Sequence, residues 1–170
     1  DALQQLSKDE FEKRLLVWCN KYAPEFVGLG DKFSLFASTN HDRSKTFQDT
    51  IVTSKFLIDD DDAITWEESK PVKKALLKGE VTGLSRMPAI IKELSSLETW
   101  NAESIDAWLH ALADSLAGGA LGKVAQPVRV AVAGGPISPP IGDTLVLLGK
   151  ESSIKRLTRC LEHFSTTCNV

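Results

Sequence analysis

GKVAQPVRVAVAGGPISPPIGDTLVLLGK, residues 122–150, is the stretch of the sequence on which the fold class depends. Val128, Val130 and Val132 alternate as the side chains of a half-buried strand do. Pro127, however, also suits the first position of a helix, where its missing N–H is not needed, and an isolated strand would have no partner in this chain. We therefore predict a short helix that Pro127 opens, followed by a rigid loop with two glycines and three prolines.

The sequence on both sides of this stretch has helical periodicity. Asn101 is of a residue type favoured at an N-cap, and the helix that follows it should end at Gly118 and Gly119. The apolar face of this helix consists of Ile105, Trp108, Leu109, Leu112 and Leu116. A last amphipathic helix is marked by Ile154, Leu157 and Leu161. The cations that we expect on its outer face are Lys155, Arg156 and Arg159.

Helical signals also cover the N-terminal part of the chain. Ser7 and Glu10 have the spacing of a capping box, and the apolar helical stripe that follows them ends before Pro24. KPVKKALLKG, residues 70–79, is a short basic helix candidate, and Pro88 is expected to open another helix. The sequence therefore predicts an all-α fold.

A run of four carboxylates from Asp59 to Asp62 divides the chain. It lacks the glycine of a calcium-binding loop, and its mutual repulsion is typical of a solvated linker. We place a boundary here, between a first helical subdomain, residues 1–62, and a second, C-terminal helical subdomain, residues 63–170. Because the sequence starts without methionine, we also expect a processed chain or a fragment of something longer, with the first subdomain truncated at its N-terminus.

The composition excludes several classes of protein. With 170 residues and a net charge of -3, the chain cannot hold a polyanion with its whole surface, so any contact with nucleic acid must come from local basic patches. Its three cysteines lack the spacing of metal ligands, and we predict no metal site. No apolar run approaches the ~20 residues of a membrane span. The sequence predicts a soluble chain that makes no contact with a membrane.

Catalytic constellations are missing from the sequence. The three histidines lie far apart, and no glycine-rich phosphate-binding motif or nucleophile signature is present. We therefore predict no catalytic residue, and a binding module rather than an enzyme. On this basis alone, the stem of Arg129 is expected to pack along its helix with the charged head in water.

A long stretch of the sequence resembles the motifs of one protein family. WNAESIDAWLHALADSLAGGALGKVAQPVRVAVAGGPISPPIGDTLVLLGKESSIKRL, residues 100–157, resembles the C-terminal, anticodon-binding end of bacterial-type glutamyl-tRNA synthetases. In that family a GK-x-x-QP-x-R segment leads to (S/T)-P and then to LLGKE. Upstream, LSKDEFEKRLL is similar to the stretch after the family's stem-contact fold, and DRSKTFQD is similar to its arginine-rich helix. The resemblance covers nearly the whole chain.

The resemblance implies two helical subdomains that form a cage around the anticodon of the glutamate tRNA. The parent proteins are cytoplasmic class I aminoacyl-tRNA synthetases of protein biosynthesis, which use ATP and Mg²⁺ to activate glutamate and attach it to tRNA. Their two ATP-binding signatures are absent from this sequence. The resemblance thus implies that this chain alone binds no cofactor, is catalytically inert, and is a monomer whose partner is the anticodon loop of the glutamate tRNA.

The family's anticodon-reading residues can be carried over to this sequence. The arginine that approaches the first anticodon base corresponds to Arg129, and the (S/T)-P pair corresponds to Ser138 and Pro139, with Ile141 as an apolar contact. Unstacked bases need a donor fork for their edges and a rigid surface to lie against. The stretch 122–150 contains both.

A second group lies in the motif DRSKTF. The arginine that the family uses at the third anticodon base, and so to separate glutamate from glutamine tRNA, corresponds to Arg43. Lys45 is then expected to be a phosphate or helix-face cation.

One departure from the family favours a different function. Gly142 stands where many relatives have a bulky residue, so the sequence predicts a reduced stacking surface there. Together with the net negative charge, it motivates an alternative, a helical protein-interaction module derived from the synthetase scaffold that does not read RNA.

Overall fold

The computed structural model describes residues 2–167, and within that range every regular element is helical and no strand occurs. The all-α prediction is confirmed. The chain divides into two compact units, Asp1–Ile58 and Asp59–Val170. The boundary expected after Asp62 therefore falls inside the second unit.

Among its described residues, the first unit contains three α-helices, one longer 3-10 segment and one short 3-10 turn. They are α1 (Lys8–Tyr22), the 3-10 segment Pro24–Lys32, α2 (Phe33–His41), α3 (Phe47–Ser54) and the 3-10 turn Lys55–Leu57. The Ser7 hydroxyl accepts a hydrogen bond from the Glu10 N–H at 3.2 Å, as expected of an N-cap. Phe11, Phe26 and Phe36 are fully buried between α1, α2 and the 3-10 segment, so the unit has its own hydrophobic core.

In the second unit, the residues that the structure describes form six α-helices. They are α4 (Lys70–Leu77), α5 (Gly83–Ser95), α6 (Ala102–Ala117), α7 (Gly122–Ala133), α8 (Ile141–Leu148) and α9 (Lys150–Thr167). Asn101 caps α6 by accepting a hydrogen bond from the Ser104 N–H at 2.8 Å, and Gly118 ends the helix in the left-handed conformation. Helix α7 contacts α4, α5, α6, α8 and α9, so it forms the centre of the unit.

The central position of α7 explains its ambiguous sequence. Its buried residues are Val124, Ala125, Pro127, Val128, Val130, Ala131 and Val132. At 3.6 residues per turn these positions cover most of the circumference of the helix. The alternating valines are all buried because nearly every side of α7 is packed, so they do not mark the two faces of a strand. The remaining narrow stripe carries Gln126, Arg129 and Ala133, which are half-buried.

The prediction that Pro127 and Pro88 open their helices is wrong, because each is the sixth residue of a longer helix. A proline there removes one backbone hydrogen bond, a loss that is usually unfavourable. For Pro127 the structure shows a compensating contact: its Cγ lies 2.7 Å from the position that a Cβ on Gly83 would occupy. The ring thus fills the space that the glycine leaves between α5 and α7.

The carboxylate run is not a solvated linker, which corrects a second expectation. Arg156 of α9 is 1% exposed, not on an outer face, and its Nε donates to Asp61 Oδ1 at 2.7 Å. Its Nη1 donates to the Val132 carbonyl at 3.0 Å, and its Nη2 to the Asp59 carbonyl at 2.8 Å. Arg159 Nη2 donates to the Asp62 carbonyl at 3.0 Å. The run is bound to α9 because buried arginine donors need these acceptors.

Replacing Arg156 with methionine tests this anchor. Arg156→Met removes the arginine donors of Asp61 Oδ1 and of two carbonyls, so we expect the free energy of unfolding to fall by about 3–5 kcal/mol. Lys155→Met is the matched control, because Lys155 pairs with Asp62 at 3.3 Å on the surface, where a pair contributes less than about 1 kcal/mol. Urea denaturation followed by circular dichroism measures both values. Equal losses in the two variants would contradict the assignment.

The same ion pair predicts a pH dependence of stability. Burial alone would raise the pKa of Asp61, but hydrogen bonds from Arg156 and Ser152 and the charge of Arg156 together hold it below 3.8. The carboxylate therefore stabilises the fold above pH 3.8, and its contribution is lost as the pH falls through the lowered pKa.

We expect Asp61→Asn to be destabilising at neutral pH, and its unfolding free energy to converge with that of the wild type below pH 3.8. Urea denaturation at a series of pH values measures the difference. Asp62→Asn is the control, since the Asp62 side chain is 74% exposed. A deficit of Asp61→Asn that does not change with pH would contradict this prediction.

Candidate nucleic-acid interface

Arg129 lies on the half-buried stripe of α7, and its head is held by two side chains. Its Nη1 donates to Gln126 Oε1 at 2.7 Å, and its Nε donates to Ser138 Oγ at 2.9 Å. Gln126 precedes Arg129 by three residues and so lies on the same face of the helix. The expectation of a head held only by water is wrong. The two contacts fix the plane of the guanidinium.

The loop after α7, residues 134–140, is held by side chains from both flanking helices. From α7, Gln126 Nε2 donates to the Pro136 carbonyl at 3.1 Å. From α8, the buried Thr144 hydroxyl lies 3.0 Å from the carbonyl oxygens of Pro139 and Pro140 and can donate to either. Because Gln126 contacts both Arg129 and the loop, the position of the arginine and the shape of the loop are coupled.

The start of the loop is packed against the segment that precedes α4. Gly134 has φ of 81°, and its carbonyl accepts a hydrogen bond from the Glu67 N–H at 2.9 Å. A Cβ at Gly134 would lie 2.4 Å from the Thr65 carbonyl oxygen. Only glycine meets both conditions, the positive φ and the close approach.

The predicted residues of this loop differ in exposure. Ser138 and Ile141 are each 8% exposed, Pro139 is buried, and Ile141 belongs to the hydrophobic core. Ile137 is 66% exposed and is the large apolar side chain that the loop presents to solvent. The structure therefore brings Arg129, Ser138, Pro139 and Ile141 into one region, with Ile141 supporting the loop from the core side.

Three residues that hold or form the loop beside Arg129 were not identified from the sequence. Gln126 was noted only as part of the QP pair, although it contacts Arg129 and Pro136. Thr144 and Ile137 gave no signal in helical periodicity, since one is a buried hydroxyl and the other lies in an irregular loop. The spacing of Gln126 and Arg129 on one helical face is the one signal that could have found the pair.

Arg43 and Lys45 lie in the first unit, apart from this group in the chain. Both are exposed in the turn that joins α2 to α3, so the expectation that Arg43 lies in a helix is wrong. The turn is ordered by the capping box of α3, in which Thr46 Oγ1 accepts from the Asp49 N–H and Asp49 Oδ2 accepts from the Thr46 N–H, each at 3.0 Å. The turn thus exposes two cations that lie two residues apart in sequence.

Gly142 faces the protein rather than solvent. A Cβ at this position would lie 2.6 Å from Asp106 Oδ1 and 3.1 Å from the Ala102 carbonyl oxygen. The glycine thus allows α8 to approach α6 closely. The expected loss of a stacking surface at Gly142 has no basis in this geometry, and one of the two reasons for the protein-interaction alternative is removed.

A family model described as an anticodon binding domain matches residues 14–161. The chain belongs to this anticodon-binding domain family. The resemblance that the motifs indicated is confirmed.

Proteins similar to this anticodon-binding domain include curated glutamate–tRNA ligases. It is 34% identical to glutamate–tRNA ligase 1 of Acidithiobacillus ferrooxidans over 159 aligned residues. The alignment covers 92% of this chain and 33% of the relative. It is 32% identical to the glutamate–tRNA ligase of Myxococcus xanthus over 160 aligned residues. This alignment covers 94% of this chain and 32% of the relative. The chain therefore spans about a third of the length of these relatives.

Solved structures show the same fold. The glutamate–tRNA synthetase of Elizabethkingia anophelis matches with a TM-score of 0.70 and 25% identity, over 95% of this chain and 30% of that chain. A glutamate tRNA ligase from Elizabethkingia meningosepticum, in complex with its amino acid, matches with a TM-score of 0.69 and 25% identity, over 91% of this chain and 31% of that chain.

The described part of the anticodon-binding domain offers neither a cluster of metal-ligating side chains nor a helix able to span a membrane. Residues 2–167 contain no group of three or more histidine, cysteine or carboxylate side chains that could hold a metal ion. None of the helices described in that range has the length and apolar character needed to cross a membrane. Cys168 lies outside the described residues.

Substitution of Gly134 tests the packing of the loop. We expect Gly134→Ala to lower the free energy of unfolding by more than about 2 kcal/mol, since the strain of a positive φ adds to a backbone clash. Gly118→Ala is the matched control: Gly118 has a φ of 58°, but nothing lies within 4 Å of its Cβ position, so the conformational strain alone should amount to about 1 kcal/mol. Chemical denaturation measures both. Indistinguishable losses would show that the contact with Thr65 is unimportant.

Proposed function

We propose that this chain is the anticodon-binding region of a glutamate–tRNA ligase and that it reads the anticodon of the glutamate tRNA. The observation that carries the proposal is the guanidinium of Arg129, held between Gln126 and Ser138 beside a loop that presents Ile137. Membership of the anticodon-binding domain family and the similarity to curated glutamate–tRNA ligases support it.

The geometry of the Arg129 group suits recognition of an unstacked base. Arginine presents N–H donors in a rigid plane that matches the acceptors on a base edge. Gln126 and Ser138 hold that plane before RNA arrives, so little conformational entropy is lost on binding. Arg129 approaches the first anticodon base, the Ser138–Pro139 backbone supplies the rigid surface, and Ile137 supplies an apolar contact.

The turn between α2 and α3 carries the second group of residues that we propose to contact the anticodon. Arg43 is exposed and reads the third anticodon base, and Lys45, two residues later, contacts a phosphate. A ligase with an arginine at this position should prefer C at the third anticodon position and so separate glutamate tRNA from glutamine tRNA.

The remaining functions belong to the parent protein. We infer that the parent is a cytoplasmic, monomeric enzyme that activates glutamate with ATP and Mg²⁺ and transfers it to tRNA. The chain spans about a third of such a protein and carries neither ATP-binding signature, so by itself it binds RNA without catalysis.

Substitution of Arg129 tests the reading of the anticodon. We expect Arg129→Ala to weaken binding of a glutamate tRNA transcript by about 1–3 kcal/mol, because one arginine–base contact is lost. Arg129→Lys should recover little of this affinity, since an ammonium group cannot form the planar fork. The loss should be smaller for a transcript whose first anticodon base is replaced, because that transcript already lacks the contact.

Fluorescence anisotropy with labelled transcripts measures these affinities, and circular dichroism checks that each variant is folded. Lys92→Ala is a control that removes an exposed cation of α5, remote in sequence from the Arg129 group. If the wild-type chain binds every anticodon variant with equal affinity, the proposal of anticodon reading is wrong.

A further inference from the structure

A basic groove lies between α4, the start of α5 and the start of α7 in the second unit. Its volume is about 1060 Å³. The cations that line it are Lys74, Lys78, Arg86 and Lys123, and the acidic residue that lines it is Glu80. The chain as a whole carries a net charge of -3, so this local excess of positive charge runs against the overall balance.

The walls of the groove are rigid. Gly83 of α5 packs so closely on α4 that a Cβ there would lie 2.0 Å from the Ala75 carbonyl oxygen. Arg86 Nη1 donates to the Val81 carbonyl at 3.0 Å, which fixes the connection between α4 and α5. The charge of Arg86 is thereby held at one wall.

The three lysines are exposed on the two sides of the groove. Lys74 and Lys78 belong to α4 and its C-terminal end, and Lys123 belongs to the first turn of α7. Within residues 2–167 none of these lysines forms a salt bridge with a carboxylate. They differ in this respect from Lys155 and Arg156 of α9, each of which pairs with a carboxylate.

The groove is continuous with the Arg129 group. Gln126 lines the groove and also accepts the hydrogen bond of Arg129 Nη1 at 2.7 Å. A ligand that contacts Arg129 on the half-buried stripe of α7 therefore lies next to a residue that lines the groove. Gln126 therefore contacts Arg129 and also lines the groove that contains the three lysines.

We infer that this groove binds phosphate groups of the RNA backbone next to the bases that the Arg129 group reads, an inference that rests on the proposed function. Lysine is a compact charge on a flexible stem, which suits phosphate oxygens better than base edges. Phosphate contacts set the register of RNA on a protein and supply affinity that does not depend on sequence. The groove therefore positions the strand, and the loop beside Arg129 reads it.

The test compares two double variants of equal charge. Lys74→Ala with Lys123→Ala removes one cation from each side of the groove, and Lys73→Ala with Lys92→Ala removes two exposed lysines that do not line it. The probes are the anticodon stem-loop RNA of the glutamate tRNA and the same RNA with all three anticodon bases replaced. Affinities are measured by fluorescence anisotropy from about 50 to 200 mM salt.

For the groove variant we expect a roughly tenfold loss of affinity that is the same for both RNAs, and a fall of about two in the slope of log affinity against log salt. The control variant should change neither quantity by a comparable amount. If the two double variants behave alike, the groove is not a phosphate site, whatever the result for Arg129→Ala.

A different set of results is expected if the proposed function, and not the phosphate site, is wrong. If the wild type binds both RNAs equally and Arg129→Ala has no effect, anticodon reading is wrong, but a selective loss in the groove variant still supports a phosphate site for RNA. If neither RNA binds the wild type at about 50 mM salt, the phosphate site is overturned as well. Circular dichroism of each variant confirms that the fold is retained.

Discussion

The last carbonyl groups of α7 lie beyond the reach of the helix's own N–H groups, and side chains from other parts of the second unit donate to them. The end of a helix leaves its last carbonyls unpaired, and in a buried helix water cannot satisfy them. Here the Val130 carbonyl accepts from the Gly134 N–H at 2.9 Å, and the Ala131 carbonyl accepts from Trp66 Nε1 at 3.1 Å. The Val132 carbonyl accepts from the buried Arg156 at 3.0 Å. Trp66 and Arg156, which are distant in sequence, thus satisfy the next two carbonyls of the central helix beyond the local bond from Gly134.

These bonds explain why the segment before α4 is ordered. Arg156 can be buried only because Asp61 and two carbonyl oxygens accept its N–H groups, and this requirement brings the carboxylate run onto α9. The same segment supplies Trp66 to α7 and the Glu67 N–H to Gly134. The start of the loop beside Arg129 is therefore fixed by contacts that begin at Asp61.

The sequence was sufficient for the fold class but not for these contacts. Amphipathic stripes such as that of α6 identify surface helices because one side faces solvent. Helix α7 has no such stripe, since it is packed on most sides, and both interior prolines resemble helix starts. Arg156 resembles its neighbours Lys155 and Arg159 in sequence, and only the fold reveals that its carboxylate partner lies 95 residues away. Arg129 and Ser138 could be named from family motifs, but their bond depends on Gln126 and the packed loop.

The distribution of charge gives the proposed interface its selectivity. Asp61 and Asp62, two of the four carboxylates in the acidic run, are paired with cations of α9, so the charge of -3 says little about the surface near α7. The lysines of the groove have no such partners among the described residues, and Arg129 is held in a defined orientation nearby. On a chain that is acidic overall, a local excess of positive charge would favour the approach of an RNA strand at the groove over its approach at the acidic parts of the surface. In the proposed interface the same glutamine, Gln126, lines the groove and holds Arg129, so a strand whose phosphates lie at the lysines would have its bases close to the residues that we propose to read them.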